Sequence, residues 1–134
     1  KTPREAGLVW RTIAECEGYF ARAGDKVVRP IFFGKGLENL EEIRLAAEIV
    51  HQEMKSFEAA LAQSAWLVGE QITAADIAIF PLVQLILRAA CKEEGQPFDL
   101  GLMPLSQNYP NLARWVRQIE SLPGYERTYP PHWR

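Results

Sequence analysis

The 134 residues predict an all-α domain, and three observations carry that reading. Thr2-Pro3-Arg4-Glu5, Asn39-Leu40-Glu41-Glu42 and Thr73-Ala74-Ala75-Asp76 each place a capping side chain three residues before a carboxylate. Each then opens a stretch whose apolar residues recur at helical steps of three and four. The only β-like run, Val27-Val28 followed by Ile31-Phe32-Phe33, is divided by Pro30, and one interrupted run cannot build a sheet. With 48% hydrophobic residues, a chain of this length fills one core and has no room for two, so residues 1–134 read as a single domain.

The first helix begins at Thr2, with Pro3 at its first helical position and Glu5 serving the unpaired amides and the dipole. Ala6, Val9, Ile13, Cys16 (or Glu17) and Phe20 form its apolar stripe. Gly24-Asp25 predicts a stop after Ala23, and Lys26 to Gly36 reads as a partly buried loop with Gly34 and Gly36 as turn residues. From Asn39, Leu40, Ile43, Ala47, Val50, Met54, Phe57 and Leu61 hold the helical rhythm for over six turns. His51 lies beside that stripe with no second histidine a turn away, which predicts a packing or surface residue and not a metal ligand.

Thr73 caps the next helix, Ala74 to about Lys92, with Ile72 and Ile77 spaced as a hydrophobic staple. Its first half is apolar nearly all round, which places it at the centre of a bundle. Pro81, past the first turn, predicts a bend and not a stop. An irregular stretch follows Gly95 to Asn108. Pro110 then starts a helix through Leu112, Trp115, Val116 and Ile119, ended by Pro123-Gly124. The tail from Tyr125 to Arg134 is too aromatic for a disordered end and is expected to pack back.

Charge and composition exclude several function classes. Fifteen basic against seventeen acidic residues give a formal charge of −2, no footprint for a phosphate backbone, so nucleic acid is not an expected partner. Pro81, Gln84 and Arg88 interrupt the apolar run that starts at Ile77, and no membrane span is expected. Two cysteines, Cys16 and Cys91, are too few for a disulfide scaffold or a thiolate zinc site and fit a reducing, cytoplasmic setting. The start, KTPREAGLVW, has neither an initiator Met nor a signal-peptide pattern, and reads as a cut inside a longer protein.

No catalytic constellation emerges. His51 and His132 are the only imidazoles and sit in no triad pattern, and phosphate-loop, HExxH and CxxC motifs are absent. Glu15 and Glu17 diverge on their helix; Glu15, four after Arg11, reads as half of a surface ion pair. One face of the first helix is less ordinary. Gly7, Arg11, Ala14 and Gly18 fall at i, i+4, i+7 and i+11, so that face carries one guanidinium and almost no other bulk. Interior glycines cost roughly 1 kcal/mol each relative to alanine, which suggests close approach by something. That something is either a helix crossing or dimer contact, or a ligand for which this face, flanked by Trp10 and Glu17, forms a wall. In the second case Arg11 could meet a carboxylate on the ligand or on a partner domain.

WLVGEQITAADIAIFPLV, residues 66–83, resembles the signature of the C-terminal helical domain of glutathione transferases, where an aromatic-apolar-Gly turn leads into a Ser/Thr-x-x-Asp capping box and a buried helix. The stretch YPNLARWVRQIESLPGYERTYPPHW is similar to the closing segment of bacterial members. Together with the long helix Asn39 to Ala65, the resemblance covers essentially the whole chain and implies an orthogonal bundle of about five helices. It makes Thr73 and Asp76 structural N-cap residues and not catalytic ones.

In that family the thiol-activating residue and most glutathione contacts lie in an N-terminal thioredoxin-like domain, which nothing here matches. The resemblance therefore implies no catalytic residue, metal or cofactor in this chain, with glutathione as co-substrate of an intact two-domain protein. It further implies that the first helix walls the site of a small electrophilic substrate and that the intact protein is a homodimer. Trp10, Arg11, Ala14, Glu17 and Gly18 are the residues expected at that wall. The chain also resembles the non-catalytic helical interaction modules of translation-associated complexes, which is the alternative reading.

Overall fold

A computed structural model describes residues 2–133. Seven α-helices are present and, among the described residues, no strand: α1 (Pro3–Glu15), α2 (Ala21–Phe32), α3 (Leu40–Gln63), α4 (Ala74–Cys91), α5 (Leu105–Asn108), α6 (Pro110–Glu120) and α7 (Tyr125–Thr128). Thr2 caps α1 with the reciprocal capping box expected of it: Thr2 N donates to Glu5 Oε2 at 2.8 Å and Glu5 N to Thr2 Oγ1 at 3.2 Å. Of the predicted stripe, Val9, Cys16 and Phe20 are buried, whereas Ala6 is exposed.

The predicted stop at Gly24-Asp25 does not occur. A π-helical turn, Cys16–Phe20, joins α1 directly to α2, and the helix runs through Gly24 and Pro30 to Phe32. Gly24 is right-handed helix, buried against α4, where an added Cβ would stand 2.7 Å from Ile86 Cδ1. This glycine admits a neighbour and does not end a helix. Val27, Val28 and Ile31, read above as β-like, are the helix's buried face. Their packing on α3 and α4 outweighs the roughly 3 kcal/mol of an interior proline. The stop comes at Gly34, whose φ of +67° and bond from its N–H to the Ile31 carbonyl at 3.2 Å reverse the chain.

Asn39 precedes α3 without capping it: its Nδ2 donates back to the Lys35 carbonyl at 2.8 Å, closing a 3-10 turn over Leu37–Asn39. Ile43, Ala46, Val50, Met54, Phe57 and Leu61 form the buried face of α3; Leu40 is exposed and Ala46 replaces Ala47. The stretch expected to be irregular holds a 3-10 helix, Glu93–Phe98, and the short α5.

The central helix is α4, buried through Ala75, Asp76, Ile79, Phe80, Val83, Ile86, Leu87 and Ala89. It continues through Pro81 unbroken, because the carbonyl left without a donor belongs to Ile77, which is 60% exposed. By length and composition alone α4 is long and apolar enough to cross a membrane, with a mean hydropathy of 1.7 over 18 residues, a test that the core helix of a bundle also passes. Ala75, Ile79, Phe80, Val83, Ile86, Leu87 and Ala89 of this helix belong to the bundle's core, while Ile77 is exposed. Ile72 and Ile77 are both exposed, so the expected staple buries little.

α3 and α6 cap each other across the bundle. Glu58 accepts from Asn111 N at 3.0 Å, Leu112 N at 2.8 Å and Asn111 Nδ2 at 2.8 Å, filling the N-terminus of α6. In return, Arg114 donates to the Leu61, Ser64 and Ala65 carbonyls at the C-terminus of α3, at 2.7, 3.3 and 3.3 Å. Each charge faces the dipole end that favours it. The tail packs back as expected: Tyr125 meets Phe80 edge-on at 5.8 Å and Arg88 lies 4.9 Å over the Trp133 ring.

Candidate functional site

The most heavily bonded side chain in the core is Asp76, which is completely buried. Its Oδ2 accepts from Thr73 N at 2.8 Å and Thr73 Oγ1 at 3.1 Å, and its Oδ1 from Leu67 N at 3.0 Å and Trp115 Nε1 at 2.9 Å. Thr73 Oγ1 in turn accepts from Ala75 N at 3.2 Å. One carboxylate thus fixes the start of α4, the turn before it and the indole of α6. Every lone-pair direction is committed, which makes Thr73 and Asp76 architectural.

His51 is likewise consumed by structure. Its Nε2 donates to the Leu100 carbonyl at 2.7 Å, which leaves Nδ1 to accept from the Tyr109 hydroxyl. Burial and the Glu58 charge raise the Tyr109 phenol above its ordinary value, so it stays protonated as a donor. Among the described residues no group of three or more His, Cys, Asp or Glu side chains could hold a metal.

The five residues expected at a substrate wall lie along one exposed side of the first helix. Trp10, Arg11 and Ala14 are on α1, and Glu17 and Gly18 on the π-turn. Trp10 is 68% exposed, and an added Cβ at Gly7 or Gly18 would meet nothing within 4 Å. The face therefore points away from the core, and a helix crossing within the described chain is not what its small side chains accommodate. Arg11 is bonded to Glu15 through Nε at 2.7 Å, the surface pair its spacing suggested. None of the five lines the cleft between the first helix and α3.

The cavity on this helix is on its other flank. A cleft of about 270 Å³ separates the end of α1 and the π-turn from α3, lined by Glu15, Cys16, Tyr19, Glu53, Ser56 and Phe57 among others. Cys16 and Tyr19 of the lining lie on the π-turn, and such turns recur at functional sites. Sequence reasoning missed Glu53 and Tyr19. The available signal was that Glu53 adjoins the apolar stripe at Met54 in place of a solvent-facing position.

Burial and the Glu15 charge raise the Glu53 carboxyl above its ordinary value. Glu15, Cys16 and Tyr19 line the same cleft and the Glu17 charge reaches Cys16, with Arg11 held by Glu15. A carboxyl raised on folding costs stability when ionised and none once both states are protonated. Glu53→Gln should therefore stabilise the fold at pH 7, and the gain should shrink as pH falls through the raised folded value and vanish below the unfolded carboxyl's value of about 4.3. Urea denaturation at pH 7 and pH 4 measures this; a gain that grows on acidification contradicts it.

The two thiols differ in the same way. Burial, then the Glu53 and Glu17 charges, push the Cys16 thiol up to about 12, whereas Cys91 is exposed. The thiolate is the reactive form, so native alkylation with iodoacetamide should label Cys91 and leave Cys16 unmodified until the protein unfolds. Peptide mass mapping reads the result, and equal labelling of both would refute it.

The fold and its buried capping box define a helical-bundle domain organised round one capped central helix. The family follows from comparison: a family model described as the glutathione S-transferase C-terminal domain matches residues 24–123, and the chain belongs to that family. Comparison with curated proteins and with solved structures gives no match. The matched region contains Thr73, Asp76 and Trp115 and begins after the exposed face of α1.

Proposed function

We propose that this chain serves as the helical half of a glutathione transferase, with α1 and the π-turn forming a wall of the site for a small electrophilic substrate. The reaction would join the glutathione thiolate to the electrophilic carbon as the leaving group departs, or use the thiol as reductant. Thiol activation and glutathione binding would belong to a thioredoxin-like domain of the same protein, and the protein would act as a cytoplasmic homodimer. One observation carries the reading: an outward helix face of small side chains, with Trp10 standing exposed on it and no part of the described chain covering it.

On this reading Trp10 and Ala14 give the wall its apolar surface, Gly18 admits close approach, and Glu17 and Arg11 flank it. Residues 1–134 alone should not conjugate glutathione to a chlorodinitrobenzene acceptor above the uncatalysed rate. In the full-length protein, Trp10→Ala should raise KM for that acceptor about three- to tenfold, the loss of roughly 1 kcal/mol of apolar contact, and leave KM for glutathione unchanged. Steady-state kinetics with each substrate varied checks this. An unchanged acceptor KM would remove Trp10 from the wall, and conjugation by residues 1–134 would overturn the division of labour.

A further inference from the structure

Among the described residues, three acidic side chains are not exposed: Glu53, Glu58 and Asp76. Asp76 accepts four hydrogen bonds and Glu58 three, so both recover in protein contacts the hydration they lose. Glu53 has no hydrogen bond or ion pair, although it is half-buried and lines the cleft between the π-turn and α3. Among the described residues the one fully buried side-chain polar atom without a partner is Arg88 Nε; Glu53 is partly shielded from water and has no protein donor, which leaves its carboxylate open to a ligand in the cleft.

The side chains around it share one polarity. Thr12 Oγ1 donates its proton to the Leu8 carbonyl at 2.8 Å and Ser56 Oγ to the Gln52 carbonyl at 3.3 Å, which leaves both hydroxyls as acceptors. Glu15 adds a second carboxylate, and no Lys, Arg or His side chain lines the cleft. Arg11 engages Glu15 but is not itself part of the lining. Phe57 and Leu67 give the cleft an apolar floor, and Tyr19, 61% exposed, offers a ring at its edge. Two carboxylates are too few to dehydrate a metal ion, whereas acceptors beside an aromatic wall suit an organic cation.

We propose that this cleft binds a small organic ammonium ion carrying an apolar ring, with Glu53 as its counter-ion and Tyr19 and Phe57 as the walls for the ring. The ammonium supplies the donors that Glu53 lacks. The site is on a different flank of the first helix from Trp10 and stands whether or not the transferase reading holds.

Titration of the protein with phenethylammonium, phenethyl alcohol and phenylpropionate, followed by calorimetry and amide chemical shifts at pH 7.5, tests the proposal. The cation should bind at least tenfold more tightly than the alcohol, the anion should show no measurable binding, and the shifts should map to residues 12–19 and 53–60. Glu53→Gln, close in shape, should weaken the cation at least tenfold, while Glu48→Gln, on the exposed side of α3, should leave it unchanged. Equal binding of alcohol and cation, an affinity indifferent to Glu53→Gln, or shifts elsewhere would each overturn the assignment.

Discussion

Asp76→Ala is expected to lower the unfolding free energy by about 3–6 kcal/mol, enough to remove much of the stability of a domain this size. The loss has two parts. The first is a cavity where a fully buried side chain stood. The second is three stranded buried groups: the amides of Leu67 and Thr73 and the Trp115 indole N–H, each costing about 1–3 kcal/mol when left without an acceptor. Asp76→Asn should cost about half as much. Its amide oxygen can still accept from Leu67 N and Trp115 Nε1, but its NH₂ then faces the Thr73 amide, donor against donor. Urea denaturation followed by far-UV circular dichroism measures both. If Asp76→Ala does not fold, the Asn variant carries the test, and a cost below about 0.5 kcal/mol for it would show that the network is not what holds the start of α4.

Trp115 should be almost as sensitive. It is fully buried, meets Phe80 edge-on at 5.7 Å and donates to Asp76. Trp115→Ala is expected to cost about 3–5 kcal/mol through lost burial and a cavity too enclosed to collapse. Trp115→Phe, which keeps most of the ring and removes the indole donor, isolates the hydrogen bond and should cost about 1–3 kcal/mol. In the double variant Asp76→Ala with Trp115→Phe the indole donor is no longer stranded, so the two costs should add to less than their sum by about 1–2 kcal/mol. Additive losses would mean that the 2.9 Å contact carries no coupling energy.

The readings that survived in the sequence were those settled within a single turn. The capping boxes at Thr2 and Thr73 close between positions i and i+3, and the burial of Ile43, Val50, Met54, Phe57 and Leu61 follows from helical periodicity. The readings that failed depended on distant neighbours. Gly24 reads as a stop until Ile86 is seen against it, and Pro30 as a break until Val27, Val28 and Ile31 are seen packed on α3 and α4. Asn39 has the residue type of a cap but gives its amide to Lys35. Pro110 starts α6 without a local side-chain cap because Glu58, 53 residues before Asn111, supplies one from α3.

The candidate site divides along the same line. Periodicity alone identified the face of Gly7, Arg11, Ala14 and Gly18 as unusual, and the structure leaves that face open and Trp10 exposed beside it. The cleft of Glu53, Glu15, Tyr19 and Phe57 was invisible, because it exists only where the π-turn meets the far half of α3.

An all-α chain and the capping roles of Thr73 and Asp76 are legible in the residues alone, because caps and stripes are local and repeat every turn, and the motif of residues 66–83 carries the family resemblance. Only the tertiary structure decided where the first helix ends, which carboxylates are satisfied and which is left bare. Those depend on which helices meet, and burial makes the cost of an unpaired charge a property of the neighbours and not of the residue.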